Sequence, residues 1–479
     1  MGDYLKLFNT HSEYEEYIDG DNVFLPNVSH CKQQGDVHYN PWTWAEEYLT
    51  TVALEDGTIS FNILKTMGTD MITSISYSTD GGETWTTTAN QNNKQENISI
   101  DVDVEEGDKV MWKGIATQTG YFDDDYYGTY AGSFFSSDCE FDAKGNAMSL
   151  LYGDDFKGNT TLEYEGQFAC LFSDSDVEKT CNIVNANNLS LAATTLADGC
   201  YKSMFVRCTS LATAPVLPAT TLTDSCYSSM FGGCTSLVTA PELPATTLVR
   251  NCYSNMFDGC TSLTTAPELP ATTLGQNCYG SMFYGCTSLT TAPELPATTL
   301  ESSCYEYMFY ECTALTTAPE LPATTLANFC YHYMFQNCSS LTTAPELPAT
   351  TLASNCYASM FDGCTALTTA SELPATTLAD YCHEYIFNGC TSLTTASELP
   401  ATTLVRSCYY HMFQNCTNLN YIKAMFTTTP SGSSPNYYTQ NWVSGVAASG
   451  TFVKNSAATW TTRGVHGIPT GWTVETANP

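Results

Sequence analysis

Two series of cysteines recur at a fixed interval through the C-terminal half of the chain, and no other feature constrains the fold as strongly. The first series consists of Cys200, Cys226, Cys252, Cys278, Cys304, Cys330, Cys356, Cys382 and Cys408. The second consists of Cys208, Cys234, Cys260, Cys286, Cys312, Cys338, Cys364, Cys390 and Cys416. Each series has nine members at a period of 26 residues, and the second series follows the first at an offset of eight positions. Such self-similarity is typical of a solenoid, whose units bury their apolar faces against each other, and it predicts nine coils over residues 197–420.

Each unit joins a cysteine-bearing segment to a segment rich in threonine and proline. Cys252, Met256 and Cys260 are spaced i, i+4 and i+8, which places them on one face of a short helix or 3₁₀ turn. The threonines of residues 263–266 favour an extended strand, and the prolines that follow must end it. The pattern predicts one strand and one short helix per coil, with parallel strands stacked about 4.8 Å apart.

This unit resembles the BspA-like leucine-rich repeats of gut and oral bacteria and their phages, which read roughly Ala-Phe-x-x-Cys-x-x-Leu-x-x-Ile-x-Leu-Pro. Residues 256–270 read Met-Phe-x-x-Cys-x-x-Leu-x-x-Ala-Pro-x-Leu-Pro, with Met for the small residue and Ala for Ile. The resemblance covers about residues 185–425. It implies repeats that form an adhesive surface and carry no catalysis.

The cysteines are expected to be free. Equivalent side chains on stacked coils point the same way, whereas a disulfide needs converging Cβ atoms, and an odd number of members leaves one unpaired. Buried free thiols acting as small apolar residues are therefore favoured over a ladder of disulfides or of bound metal.

One repeat position carries glutamate in seven units. These residues are Glu242, Glu268, Glu294, Glu320, Glu346, Glu372 and Glu398. A solvated column at the loop after the strand is the favoured interpretation. A row of Ca²⁺ sites is the alternative, but one carboxylate per coil falls short of the six to eight oxygens that Ca²⁺ takes, so no metal is expected.

The positions that vary between units indicate a recognition surface. Variation is concentrated in the three residues before the first cysteine and at offsets +2, +3, +6 and +7 after it, which we expect to be exposed. Exposed aromatic rows on a rigid scaffold bind sugars or proteins, although scattered surface tyrosines on a Tyr-rich chain are the alternative. The candidate ligand-binding residues are Tyr284, Tyr307, Tyr310, Phe329, His332, Tyr333, Tyr381, Tyr385, Tyr410 and His411.

Residues 51–150 have the patterns of an antiparallel, immunoglobulin-like β-sandwich. Residues 59–63 and 72–77 alternate apolar and polar side chains, and Asp-Gly-Gly at 80–82 is a hairpin signal. Residues 102–113 supply two more strands around an acidic turn. The octet at 78–85 also fits the Asp-box pattern of sialidases, in which the box is a structural turn remote from catalysis.

Two small polar groups are weaker candidates for cation binding. Asp123, Asp124 and Asp125 lie beside three tyrosines, although a solvated loop is the favoured interpretation. His30, Cys31 and His38 lack a fourth ligand and a helix that would fix their geometry.

The two ends and the connection between the halves complete the predicted organisation. Residues 1–50 resemble the opening segment of structural proteins from gut-bacterial phages of the crAss-like kind, which implies a docking segment. Residues 151–196 are predicted to be a cap or linker before the repeats. Residues 421–479 are predicted to cap the last coil, because an open solenoid end exposes core and strand edge.

Charge excludes several classes of partner. The chain has 50 acidic and 16 basic residues, giving a net charge of −34. Nucleic acids and anionic membranes are bound through Lys and Arg, so we expect neither. No stretch of about 18 apolar residues would span a bilayer, and the first residues lack the basic and apolar regions of a secretion signal.

These features predict a non-enzymatic, fibre-like appendage of a bacteriophage virion, made in the bacterial cytoplasm. Residues 1–50 would dock it on other virion structural proteins, and the repeats would recognise a host-surface glycan or protein; whether the chain forms homo-oligomers stays open. A bacterial cell-surface adhesin is the alternative, and an upstream signal peptide or lipobox would distinguish it. A glycan-active enzyme is a third reading, which requires a carboxylate pair near the aromatic row. No catalytic motif stands out, and no cofactor is expected.

Overall fold

The computed structural model of the chain describes residues 44–63, 72–89, 98–117, 119–123, 129–173 and 180–477. The proposed docking segment lies almost wholly outside the described residues, as do His30, Cys31 and His38 and most of the acidic run that starts at Asp123. The described helices are α1 at Ser149–Tyr152 and two 3₁₀ turns at Trp44–Glu46 and Gly153–Asp155. The strands are β1 (Leu49–Ala53), β2 (Gly57–Ile63), β3 (Ile72–Ser78), β4 (Thr86–Ala89), β5 (Ile98–Val104), β6 (Lys109–Ala116), β7 (Gly120–Asp123), β8 (Thr129–Gly132), β9 (Phe134–Ser137), β10 (Phe141–Asn146), β11 (Ile183–Ser190), β12 (Tyr421–Ala424), β13 (Thr451–Asn455) and β14 (Thr473–Ala477).

The N-terminal half contains two main sheets. One has the order β11-β10-β1-β6-β3-β4 and the other the order β5-β2-β9, while β7 and β8 form a separate hairpin. Trp112 of β6 lies between the two main sheets, with ring centroids 6.2 Å from Phe61 of β2 and 5.3 Å from Phe135 of β9. The predicted strands at 59–63, 72–77 and in 102–113 are all present, and β3 and β4 form the predicted hairpin.

The first sheet runs on into the repeats. It is antiparallel except at its edge, where β10 pairs with β11 in parallel, so the sheet extends past residue 150 to Ser190. A parallel bridge then joins Asn185 of β11 to Thr213, and further bridges join Thr213 to Thr239 and Thr239 to Thr265. The strand predicted in each repeat is thus reduced to an isolated bridge, because the prolines beyond it leave no N–H donors with which a ladder could continue.

The cysteine-bearing segments of successive units lie side by side and are joined by their backbones. The N–H of Tyr227 donates to the carbonyl of Cys252 in the next unit at 3.1 Å, and the N–H of Ser229 donates to that of Ser254 at 2.8 Å. The N–H groups of the residues in between donate to carbonyls of their own unit, as in the 3.2 Å bond from the N–H of Met230 to the carbonyl of Tyr227. Half of the donors therefore fix the local turn and half connect neighbouring units.

The predicted short helix in each repeat is wrong. Every fourth residue of the segment has positive φ, as at Ser225 (58°), Ser229 (55°) and Gly233 (75°), and L-residues do not continue a right-handed helix through that conformation. Met230 bonds to Tyr227 with Ser229 at the third position, where a type II turn requires positive φ. The segment is a run of overlapping β-turns with a period of four residues.

A period of four buries two adjacent side chains per turn, which produces the core. In residues 226–234 the buried apolar side chains are Cys226, Tyr227, Met230, Phe231 and Cys234. Their equivalents stack along the chain, with phenylalanine centroids 5.1–5.9 Å apart from Phe135 to Phe413. Offset ring stacks at this separation add about 0.5–1.5 kcal/mol per pair to the burial of apolar area.

The same backbone arrangement continues beyond both ends of the cysteine series. Before it, the N–H of Phe168 donates to the carbonyl of Cys200 at 2.7 Å, and Cys170 has positive φ. After it, the N–H of Phe413 donates to the carbonyl of Trp442 at 2.8 Å, and Asn441 has positive φ. In the same C-terminal region, β12, β13 and β14 form a parallel sheet, and β12 is bridged to the preceding repeat at Thr395.

Candidate functional site

The ten candidate residues lie on the outward positions of the turn segments and fall into two groups. The structure brings six together in what we term the central cluster, consisting of Tyr284, Tyr307, Tyr310, Phe329, His332 and Tyr333. The other four lie on the units that begin at Cys382 and Cys408, and we term them the distal cluster, consisting of Tyr381, Tyr385, Tyr410 and His411.

Side chains of the central cluster stack from one unit to the next. The rings of Tyr284 and Tyr310 have centroids 4.5 Å apart, as do those of Tyr307 and Tyr333. Tyr307 also lies 5.7 Å from Tyr310, which links the two stacks. Burial, and then the neighbouring Tyr333 and Glu306, raise the pKa of Tyr307 to about 12, so the Tyr307 hydroxyl remains a protonated donor.

The distal cluster has a different geometry. Tyr385 stacks on His411 at 4.6 Å and meets Tyr410 edge-on at 5.5 Å, with 65° between the ring planes. The guanidinium of Arg406 lies 5.2 Å from the ring centroid of Tyr381. The rings of Tyr385 and Tyr410 form a corner, and a cation lies against the separate ring of Tyr381.

One unit with small side chains separates the two clusters. Ala358 and Ser359 occupy the positions that hold His332 and Tyr333 in the unit before. A polar ladder crosses this unit, since the Asp362 carboxylate accepts bonds from Gln336 at 2.8 Å and from Asn388 at 2.7 Å. Burial nevertheless raises the pKa of Asp362.

Six of the ten candidates occupy backbone positions that penalise large side chains. Positive φ recurs one residue before the first cysteine of a unit, and three and seven residues after it. Several units fill these positions with small residues, such as Asn251, Asn255 and Gly259.

Other units place aromatic residues at the same positions of positive φ. These residues are Tyr307 (φ 56°), Phe329 (58°), Tyr333 (57°), Tyr381 (60°), Tyr385 (53°) and His411 (55°). Each left-handed bulky residue costs about 1–2 kcal/mol, and strained residues of this kind concentrate at functional sites.

Exposure differs from the expectation for these positions. The expectation of an exposed side chain is wrong for His411, which is buried at 8% exposure beneath its stacking partner Tyr385. The other nine candidates are half-buried, because neighbouring rings cover one another's faces. The clusters therefore expose to solvent the edges of their rings, the tyrosine hydroxyl groups and the ring faces that no neighbouring ring covers.

Two carboxylates beside the clusters were not singled out from the sequence. Glu306 Oε1 lies 2.8 Å from Nδ1 of His332 in the central cluster. Glu384 immediately precedes Tyr385 in the distal cluster, and burial raises its pKa to about 7. Both occupy offset +2, one of the variable offsets, and a carboxylate at a variable offset among aromatic residues is the signal that could have identified them.

The glutamate column lies on a different part of each unit. Six of its seven members are exposed, as predicted for a solvated column. The seventh, Glu398, is half-buried and forms an ion pair of 2.7 Å with Lys423. No group of three or more potential metal ligands occurs among the described residues.

The cysteines of the described segments are buried free thiols, as predicted. Within the repeats, burial raises the pKa of Cys260 and of Cys278 to about 12. A thiol that stays protonated and inaccessible is neither a nucleophile nor a thiolate metal ligand, so these side chains belong to the core.

The Asp-box octet forms the turn between β3 and β4. The Asp80 carboxylate accepts bonds from the hydroxyl of Thr84 at 2.5 Å, from the backbone N–H of Thr84 at 2.9 Å and from the hydroxyl of Ser78 at 2.7 Å. These bonds, led by the one from the Thr84 hydroxyl, hold the pKa of Asp80 at about 2. The indole N–H of Trp85 donates to the carbonyl of Gly82 at 3.1 Å, so the octet stabilises its own hairpin.

Comparison with known proteins identifies the repeat. The family model described as the BspA type leucine rich repeat region matches in six copies, at residues 200–342, 254–373 and 303–441. No curated protein matches the chain. Within the described residues, no helix has the length and apolarity needed to cross a bilayer. Repeats of this type suggest a surface or adhesion-type protein, and because the matches together extend over residues 200–441, just over half of its length, the chain belongs to the BspA type leucine-rich-repeat family.

Proposed function

We propose that this chain is a non-enzymatic, fibre-like virion appendage whose repeats form a nine-coil solenoid and recognise a host-surface glycan or protein through the two aromatic clusters. The backbone bonds between units, the stacked ring columns and the family match support the solenoid. In this proposal residues 1–50 attach the protein to other virion proteins, and the sheets of the N-terminal half separate the repeats from the particle.

The observation that carries the proposal is the placement of large aromatic side chains where the backbone disfavours them. Ser229 and Ser281 fill offset +3 in two units, whereas Tyr307, Tyr333 and Tyr385 fill it in others at similar positive φ. Asparagine, which fills the same offset at Asn255, accepts left-handed backbone at a lower cost than tyrosine does. Retention of tyrosine at such a cost is expected when the side chain serves binding.

The binding test uses a variant that the repeat itself suggests. Tyr307→Ser, Tyr333→Ser and Tyr385→Ser together install the residue found at this position in other units. We expect binding of the full chain to glycan arrays and to intact bacterial cells to fall by at least about tenfold, since removing even one central aromatic anchor costs about 2 kcal/mol or more.

A control variant separates this effect from a general loss of tyrosine. Tyr164 is 47% exposed and lies outside both clusters, so Tyr164→Ser is expected to leave binding unchanged. Unaltered binding by the triple variant would discard the aromatic clusters as the recognition surface.

The virion assignment has its own test, independent of the binding site. Mass spectrometry of purified particles is expected to detect this polypeptide together with capsid and tail proteins. Its absence from particles would remove the virion assignment and leave the binding proposal intact.

A bacterial cell-surface adhesin is the second candidate, because the family match alone suggests a surface or adhesion-type protein whatever carries it. Antibody labelling of uninfected bacteria distinguishes the two candidates. Surface labelling of uninfected cells would favour the adhesin.

A further inference from the structure

Glu384 is a half-buried carboxylate that lacks a charge partner. Among the described residues, no hydrogen bond or ion pair to its carboxylate occurs, and burial alone accounts for the raised pKa of this group. Burying an acid without compensation is unfavourable. A surface position that keeps such a group, next to the strained Tyr385, is therefore suited to a ligand that supplies the missing charge.

The central cluster contains an equivalent glutamate that does have a partner. Glu306 occupies the equivalent offset three repeats earlier in a Tyr-containing unit, and His332 of the following unit lies 2.8 Å from it. At Glu384 the following unit instead presents Tyr410, and the preceding unit presents Ala358. The repeat thus supplies a nitrogen partner for one carboxylate and leaves the other without one.

The rings around Glu384 favour a cation as well. Tyr385 and Tyr410 meet at 65°, which forms two walls of a corner beside the carboxylate. Four residues before Tyr385, the ring of Tyr381 carries the Arg406 guanidinium at 5.2 Å, so an aromatic residue at an outward position of this repeat already holds a basic group.

We propose that Glu384, Tyr385 and Tyr410 form a binding site for a basic side chain, lysine or arginine, of a polypeptide partner. This inference rests on the proposed function and makes its partner a protein rather than a glycan. The carboxylate lies recessed beside the rings, where a thin alkyl chain with a terminal charge can reach it. An amine attached directly to a sugar ring would be held further out. The net charge of −34 also attracts cationic partners over a distance.

The experiment titrates the full chain with a short oligolysine peptide, with its fully N-acetylated counterpart and with a glucosamine oligomer. Glu384→Gln keeps the shape of the side chain and removes its charge. Glu372→Gln removes one charge from the exposed column on another face and is the matched control. Circular dichroism and the thermal midpoint confirm that each variant is folded, and Tyr385→Ser provides a second variant of the site.

We expect oligolysine to bind at least about tenfold more weakly to Glu384→Gln and to Tyr385→Ser, as for loss of a desolvated charge pair or of a ring contact. Glu372→Gln should change the affinity by less than about twofold, and the acetylated peptide should not bind. Equal effects of Glu384→Gln and Glu372→Gln would overturn the site, and so would tighter, Glu384-dependent binding of the glucosamine oligomer. If oligolysine binding is independent of Glu384 while the triple tyrosine variant still loses cell binding, the inference fails and the proposed function stands.

Discussion

The second cysteine of each repeat shows how a single side chain serves both packing and hydrogen bonding. The thiol of Cys260 donates to the carbonyl of Phe231 in the preceding unit at 3.1 Å, and the same carbonyl accepts the N–H of Cys234 at 3.0 Å. Both lone pairs of a buried carbonyl are thereby used. Cysteine is suited to this position because it is a small apolar residue that still carries a weak donor.

His383 is the one imidazole in the column of buried tyrosine rings that extends from Tyr201 to Tyr409. It replaces tyrosine in its column, between Tyr357 at 5.9 Å and Tyr409 at 5.8 Å. It is 1% exposed, and its Nε2 has no hydrogen-bond partner among the described residues. Burial lowers its pKa to about 3, so the folded chain holds this imidazole neutral.

We predict that His383→Tyr removes an acid sensitivity of the fold. The pKa of His383 is about 3 in the folded chain and about 6.5 in an unfolded one, so below pH 6.5 the unfolded state binds the proton more readily. Stability therefore falls as the pH drops from 6.5 towards 3, by about 2 kcal/mol at pH 5. Denaturant unfolding at pH 7 and pH 5 should show a smaller loss of stability for His383→Tyr than for the natural sequence. An equal loss in both would contradict the buried neutral histidine.

At the scale of the element, the four-residue period of the turn segment depends on residues that accept positive φ. Gly259 has φ 69°, and a methyl group there would meet nothing closer than 3.7 Å, so backbone conformation alone restricts it. Gly232, in the preceding unit, has ordinary φ and similar free space around it, with the nearest atom at 3.5 Å. The two glycines differ mainly in backbone angle.

We predict that Gly259→Ala lowers the free energy of unfolding by about 1–2 kcal/mol, the cost of left-handed backbone for a residue with a Cβ. Gly232→Ala should be neutral or should raise it by up to about 1 kcal/mol. Thermal or denaturant midpoints of the two variants provide the comparison. Similar effects of the two substitutions would argue against alternating turns.

The repeated sequence pattern predicts which side chains of each unit are buried, but it does not determine the backbone conformation of the cysteine-bearing segment. Cys252, Met256 and Cys260 at i, i+4 and i+8 fit a helix and a four-residue turn equally well, and the helix was the wrong choice. The discriminating signal lay in the small residues at every fourth position, Asn251, Asn255 and Gly259, which tolerate positive φ.

The candidate site was predictable to a similar degree. Variation between units identified the aromatic positions, because residues that do not pack the core are free to differ. The geometry at Tyr385 and the lack of a partner for Glu384 depend on which side chains the neighbouring units place beside them. The sequence of one repeat does not contain that information. The units around Phe168 and Trp442 were missed because their spacing to the nearest repeat departs from 26 residues.

At the scale of the whole molecule, one hydrophobic core extends from the N-terminal sheets to the C-terminal segment. The phenylalanine column starts at Phe135 of β9, and at its other end Trp442 covers Tyr409 and Phe413 at 6.3 Å and 6.2 Å. Both ends of the stack are therefore covered by aromatic side chains from outside the regular series.

We predict that deleting residues 421–479 makes the remaining chain aggregate, because it uncovers the last rings and the backbone groups that Tyr438, Gln440 and Trp442 now satisfy. Size-exclusion chromatography and light scattering measure the outcome. A monodisperse truncated protein would contradict a capping role for this segment.

The most direct test of the account is hydroxyl-radical footprinting of the full chain, free and bound to the bacterial surface fraction that retains it. We expect the core rings of Tyr253, Phe257 and Tyr279 to stay unmodified in both states. We expect Tyr307, Tyr333 and Tyr385 to be oxidised in the free chain and protected in the bound one. Oxidation of the core rings in the native protein, or equal oxidation of these three tyrosines in both states, would contradict the account.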